Sequence, residues 1–236
     1  NNKANGIVRI GISKKVEDGI APCIYIDEAY ECGKEIEEVV EMEKEMMNVD
    51  VPSFDVDVLN DFENVKDKIK ARLYSNTTKA EVFESAEKYG FHDLILIPYI
   101  ENVIETDEGK GSIKISNNLL EHWNVDAETV MEIAMENIKY NISQFLGMMT
   151  IVSNATVMDI PQYGASSVIK AREELMERFP NGYVVIPSSI HEVIIQPYPE
   201  TDDDYNYMID MVKTVNETQV APEEVLSYSV YKFPAA

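Results

Sequence analysis

Apolar and polar residues alternate over 6–13. Val8, Ile10 and Ile12 share one face at a period of two, which predicts a strand. Asp18-Gly19 is a turn signal, and the apolar run 23–26 predicts the partner strand. After Gly33 the period becomes helical. Over 34–47, Ile36, Val39, Val40, Met46 and Met47 form an apolar stripe. Glu35, Glu37, Glu38, Glu41 and Glu45 form the wet face. Like charges at helical spacing repel, so this helix needs tertiary packing to persist.

Pro52 ends that unit. Phe54, Val56 and Val58 alternate with Asp55 and Asp57, predicting a short strand over 54–59. Asn60 or Asp61 can cap a helix with the stripe Phe62, Val65, Ile69 and Leu73. A second short helix over 79–89 stops at Gly90. The apolar run 92–100 predicts an inner strand, in which Pro98 marks a bulge or an end. A hairpin turn at 107–111 leads to a return strand at 112–116. Asp126 caps a long helix with the stripe Val130, Ile133, Ala134, Ile138, Ile142 and Phe145.

The last third predicts a strand at 149–152, a helix at 165–179 and a turn at Pro180-Asn181-Gly182. Paired strands follow at 183–186 and 192–196. The stretch 197–204, with Asp202, Asp203 and Asp204, reads as a loop. Tyr205, Met208, Ile209, Val212 and Val215 stripe another helix. Pro222 suits the first turn of a short helix, and a final strand falls within 226–232. Two strands followed by a helix recur near 6–47, 92–145 and 183–216. Hairpins and helices without a βαβ rhythm predict an α+β fold. Its sheet is mostly antiparallel with helices packed on it, and the strand-strand-helix unit is a candidate repeat. The chain of 236 residues is read as one domain, 1–236, with a division into two lobes near 145–150 as the alternative.

Charge changes the picture next. Acids outnumber bases 43 to 20, a formal net charge of −23, while 45% hydrophobic residues suit a folded chain. Such a surface repels phosphate backbones and anionic membranes, so neither nucleic acid nor membrane is expected as a partner. Lys66, Lys68, Lys70 and Arg72 read as a solvated helix face rather than a basic patch. Cys23 and Cys32 form no CxxC pair, and two cysteines suit a reducing cytoplasm. Cys23, in an apolar run, reads as a small buried hydrophobe. No run approaches the ~18 apolar residues of a membrane span.

The chemistry-bearing residues cluster once. Pro187-Ser188-Ser189-Ile190-His191-Glu192 places hydroxyls, an imidazole and a carboxylate together. Ser188 or Ser189 with His191 is the candidate nucleophile–base pair of a hydrolase, with Glu192 beside it. Gly-x-Ser-x-Gly is absent, and the other reading is a tight turn whose serines cap backbone groups. His92, His122 and His191, with Asp93 or Glu121, have no metal-ligand spacing, so no metal is expected. Asp202-Asp203-Asp204 and Asp55-x-Asp57 lack the Gly and Glu of a calcium loop. No Gly-rich phosphate loop occurs, and no cofactor is expected.

Several segments together carry a resemblance. They are Ala21-Pro22-Cys23-Ile24-Tyr25-Ile26, Asp61-Phe62-Glu63-Asn64-Val65-Lys66 and Ser116-Asn117-Asn118-Leu119-Leu120-Glu121-His122-Trp123. The most specific are Ile186-Pro187-Ser188-Ser189-Ile190-His191-Glu192-Val193-Ile194 and 215–227. The chain resembles a bacterial family catalogued as domain of unknown function fifty-six eighty-eight, from gut-dwelling Gram-positive anaerobes. The resemblance implies a cytoplasmic bacterial protein and brings no catalytic residue with it. The leading expectation is therefore a non-catalytic module that binds a protein partner, through the acidic helix 34–47 and the loop 197–204. The alternatives are the hydrolase above, and an acidic mimic of nucleic acid that inhibits a basic protein.

Overall fold

The computed structural model describes residues 4–13, 23–48, 56–78, 91–106, 109–145, 149–153, 164–187 and 189–235. Their strands form three sheets, and every pairing is antiparallel. The first joins β1 (Gly11–Ser13) to β2 (Cys23–Tyr25). The second has the order β3-β4-β5, from Ile69–Ser75, Leu94–Thr106 and Gly109–Lys114. The third has the order β10-β8-β9-β7-β6. Its strands are β6 (Asn141–Phe145), β7 (Met149–Ser153), β8 (Gly182–Ile186), β9 (Val193–Pro197) and β10 (Tyr231–Pro234).

The helices are α1 (Ile26–Glu31), α2 (Ile36–Met47), α3 (Phe62–Val65), α4 (Asn117–Trp123), α5 (Ala127–Asn137), α6 (Ser167–Arg178) and α7 (Asp202–Thr218). This is an α+β fold. Among the described residues a hairpin followed by a helix occurs four times: β1-β2 before α1, β4-β5 before α4, β6-β7 before α6, and β8-β9 before α7. The predicted helix at 79–89 and the turn at Asp18-Gly19 lie outside the described residues.

One apolar core runs from Val65 to Tyr231. It joins β3 and β4 to α5 and α6 and to the inner residues of the third sheet. Strand β8 is buried along its whole length because it is covered on both faces. Tyr183 and Val185 face the main core, while Val184 and Ile186 pack with Val212 of α7 and with Val230, which precedes β10. This both-face burial explains the unbroken apolar run of the strand.

The structure corrects several expectations. The helix expected over Phe62, Val65, Ile69 and Leu73 lasts one turn. Asp61 caps it, its carboxylate accepting from the Glu63 N–H at 3.0 Å. The chain then becomes β3, with Ile69, Ala71 and Leu73 opposite Ile100, Pro98 and Leu96 of β4. Ile69 and Leu73, four positions apart, fit both periods, and burial decided for the strand. Consequently the basic run is no solvated helix face. Arg72 is only 6% exposed, its guanidinium lies 3.6 Å from the Tyr99 ring centroid, and its Nη2 donates to Ser112 Oγ at 2.7 Å. Lys70 pairs with Glu101.

Pro98 marks neither a bulge nor an end. The Pro98 carbonyl accepts from the Ile115 N–H, so the side that lacks an N–H points past the end of β5, away from β3. The β4-β5 register shifts later, between Ile100 and Ile104. The strand expected at 54–59 is a 3-10 turn at Val56–Asn60, with Phe54 and Asp55 outside the described residues. The Leu59 carbonyl is taken by the Trp123 indole N–H at 2.6 Å, not by a sheet ladder.

Asp126 does cap α5, accepting from the Thr129 N–H at 2.7 Å, and that amide holds its carboxyl below the usual range. The helix stops at Asn137, whose Nδ2 donates to the carbonyls of Lys66 and Ile69. Ile142 and Phe145 therefore belong to β6 instead. The last strand covers Tyr231–Pro234 rather than 226–232.

The stretch 197–204 is a loop only over 198–201, since Pro197 ends β9. Asp202, Asp203 and Asp204 form the first turn of α7, where carboxylates complement the helix dipole. Thr201 and Asp204 make a reciprocal capping box: the Asp204 N–H donates to Thr201 Oγ1 at 3.1 Å, and the Thr201 N–H donates back at 3.2 Å. Thr201→Ala is expected to lower stability by about 1 kcal/mol, read as a lower urea midpoint with an unchanged slope.

Candidate functional site

The Ser-His segment lies between β8 and β9. Ser188 is outside the described residues. The Ser189 hydroxyl accepts from the His191 backbone N–H at 3.2 Å, and the Ser189 N–H donates to the Glu192 carbonyl. The backbone on either side is tied down. Gly164 donates to the His191 carbonyl, Ala165 to the Ile190 carbonyl, and Ile190 to the Glu224 carbonyl. His191 Nε2 lies 3.2 Å from Glu224 Oε1, so the carboxylate facing the ring comes from the 3-10 turn Pro222–Glu224. Glu192, next in sequence, instead contributes a backbone carbonyl to the turn.

The three histidines sit on separate elements. His122 is exposed on α4 and His191 faces Glu224. His92 precedes β4 with a φ of +56°, a left-handed conformation that few non-glycine residues adopt. Its ring stacks on Tyr231, with centroids 4.4 Å apart and planes within 3°. The Tyr231 hydroxyl donates to the Asp93 carboxylate and also meets the Ser227 hydroxyl. Burial, then the bond to Asp93, pushes that hydroxyl far above the usual phenol range. Burial lowers the His92 pKa; Asp93 opposes this and Arg172 adds to it. A cavity of about 380 Å³ opens beside this stack, lined by His92, Phe91, Arg172, Tyr183 and Phe233. Among the described residues no three His, Cys, Asp or Glu side chains converge as metal donors.

The N-terminal unit carries a different kind of feature. The expected strand over 6–13 is confined to β1; Val8 and Ile10 precede it and are exposed. The expected partner strand ends at Tyr25, and Ile26 opens the unanticipated α1. Arg9 bridges to Asp27 and Glu31 of α1. Gly33, at φ +74°, turns the chain into α2. Among the described side chains, the predicted stripe of α2 does not face a core. Ile36 is 77% and Val40 41% exposed, and among the described residues none before Val58 joins either apolar cluster. Glu35, Glu37, Glu38, Glu41 and Glu45 are exposed around it. Cys32 is exposed, and Cys23 is only half-buried, so it is not the buried hydrophobe expected.

Among the described residues no helix is long and apolar enough to cross a membrane. Searches of curated proteins and of solved structures find no match. A family model described as a family of unknown function, DUF5688, matches residues 1–162 and then 148–234. Those two stretches reach from Asn1 to Pro234, and the chain belongs to that family.

Proposed function

We propose that this protein acts by binding a protein partner, without catalysis, and that α2 is the element it offers. The supporting observation is the solvent-exposed pair Ile36 and Val40 on a helix none of whose described side chains enters either core. A helix of 12 residues is marginal in water unless its apolar face is covered. Fully burying one such side chain contributes about 1.5–3 kcal/mol.

Charge selects the cover. Glu35, Glu37, Glu38 and Glu41 surround the stripe, and each chain carries −23, so two copies of α2 repel one another. The complementary surface is an apolar groove rimmed by lysine or arginine, which receives an amphipathic helix along its i, i+4 anchors. A basic partner is shared with the nucleic-acid-mimic reading. The exposed isoleucine and valine favour groove docking, because phosphate mimicry has no use for them.

The test compares crosslinking-coupled capture by the natural chain and by the Ile36→Asp, Val40→Asp double variant at low and high salt. The natural chain is expected to retain a basic protein, less of it at high salt, and the variant to lose it. Folding stability is expected to change by under about 0.5 kcal/mol, because both side chains are exposed. Equal retention by the variant, or capture of nothing but further copies of this chain, overturns the proposal.

A further inference from the structure

A cleft of about 750 Å³ lies where Asp93 and the end of β3 meet the C-terminal turn of α7 and the segment after it. Its volume falls within the roughly 300–1,000 Å³ of small-ligand sites. We propose that this cleft binds a neutral polyhydroxylated ligand, an oligosaccharide of roughly two or three units.

Four observations support the proposal. The first is a polar side chain in the wall of the cleft. Asn216 lines it at 5% exposure, and its Nδ2 donates to the Ser227 carbonyl at 3.0 Å. No described group donates to its Oδ1. That oxygen is not sealed from solvent, so a ligand hydroxyl can donate to it in place of water.

The second observation is charge. Among the described residues no lysine or arginine lines the cleft, while Asp93 and Glu217 do. An anionic ligand is repelled there, whereas hydroxyl groups donate to carboxylates. Asp93 is already oriented by the Tyr231 hydroxyl. The third is the combination of surfaces. Tyr228, 50% exposed, presents a ring beside Pro222 and Val225, and hydroxyls of Ser75 and Thr218 stand nearby. A sugar has the same division, with C–H faces that lie on an aromatic ring and hydroxyl edges that take hydrogen bonds.

The fourth is a fixed wall. Asn5, at φ +59°, donates through Nδ2 to the carbonyls of Pro222 and Val225 at 2.8 and 2.7 Å. Its backbone N–H donates to Thr78 Oγ1 at 3.0 Å. A left-handed residue held by three bonds shapes the site before a ligand arrives, which lowers the ordering cost of binding.

The experiment is a calorimetric titration of the full chain with maltotriose, cellotriose and N,N′-diacetylchitobiose, with glucose 6-phosphate as the anionic counterpart. At least one neutral sugar is expected to bind and glucose 6-phosphate not to. Tyr228→Ala is expected to weaken the neutral sugar by about tenfold or more. Glu217→Lys, an exposed change, is expected to bring in glucose 6-phosphate. The proposal is overturned if no neutral sugar binds. Equal binding of the anionic sugar, or affinity unchanged by Tyr228→Ala, overturns it too.

Discussion

Leu73→Ala is expected to lower the unfolding free energy by about 3–5 kcal/mol, as for a fully buried leucine whose site cannot collapse. Leu73 lies at the centre of β3 with 0% exposure, opposite Leu96 of β4, also at 0%. Truncation leaves a void between two paired strands and the α5 residues packed on them. Strand and helix make different demands on the replacement. Valine keeps most of the volume and suits a strand, so Leu73→Val is expected to cost less than half as much. Urea unfolding of both variants checks this, with the slope unchanged and only the midpoint moving. A cost below about 1 kcal/mol for alanine contradicts the burial of β3.

Gly182→Ala is expected to cost about 2–6 kcal/mol, the sum of backbone strain and overpacking. Gly182 has a φ of +92° where β8 begins. A Cβ there meets the Phe233 carbonyl oxygen at 2.7 Å and the Ala235 nitrogen at 2.9 Å. Both are backbone atoms of β10 or its exit, so neither can rotate aside. The damage is expected to concentrate in β10, as faster amide hydrogen exchange there than in β9. Gly33→Ala is the control. Its φ is +74°, but a Cβ there meets nothing within 4 Å. It therefore carries only the left-handed strain, about 1–2 kcal/mol. Equal costs at the two glycines contradict the close approach of β10.

The second half of the fold is legible in the sequence because its signals are local. Pro180-Asn181-Gly182 announces a turn, and the run 183–186 is apolar on both faces. Asp126 is a cap with a helix directly behind it. β3 is not legible, because Ile69 and Leu73, four positions apart, satisfy a helical stripe as well as a strand. Only pairing with β4, set by residues more than twenty positions away, separates the two. Nor is the exposure of α2 legible: Ile36 and Val40 make the same pattern whether a core covers them or water does.

The sites follow the same rule. The turn at Ser189-His191 can be read from adjacent residues, but the carboxylate facing the ring, Glu224, comes from 33 residues away. Tyr231 meets Asp93 across 138 positions. The cleft draws on Asn5, Asp93 and Asn216, which no window of sequence contains together.

The strand order carries a consequence for behaviour at high concentration. β5 and β10 are outer strands of their sheets, and an outer strand presents unpaired N–H and C=O groups on which another chain can stack. β10 has only four residues and closes on Pro234, which has no N–H to offer. β5 ends on Lys114, and a lysine on an edge must be desolvated before a neighbour can pair there. These two edges thus resist fibril-like stacking through their own composition, a protection that replacing Lys114 and Pro234 with valine would remove.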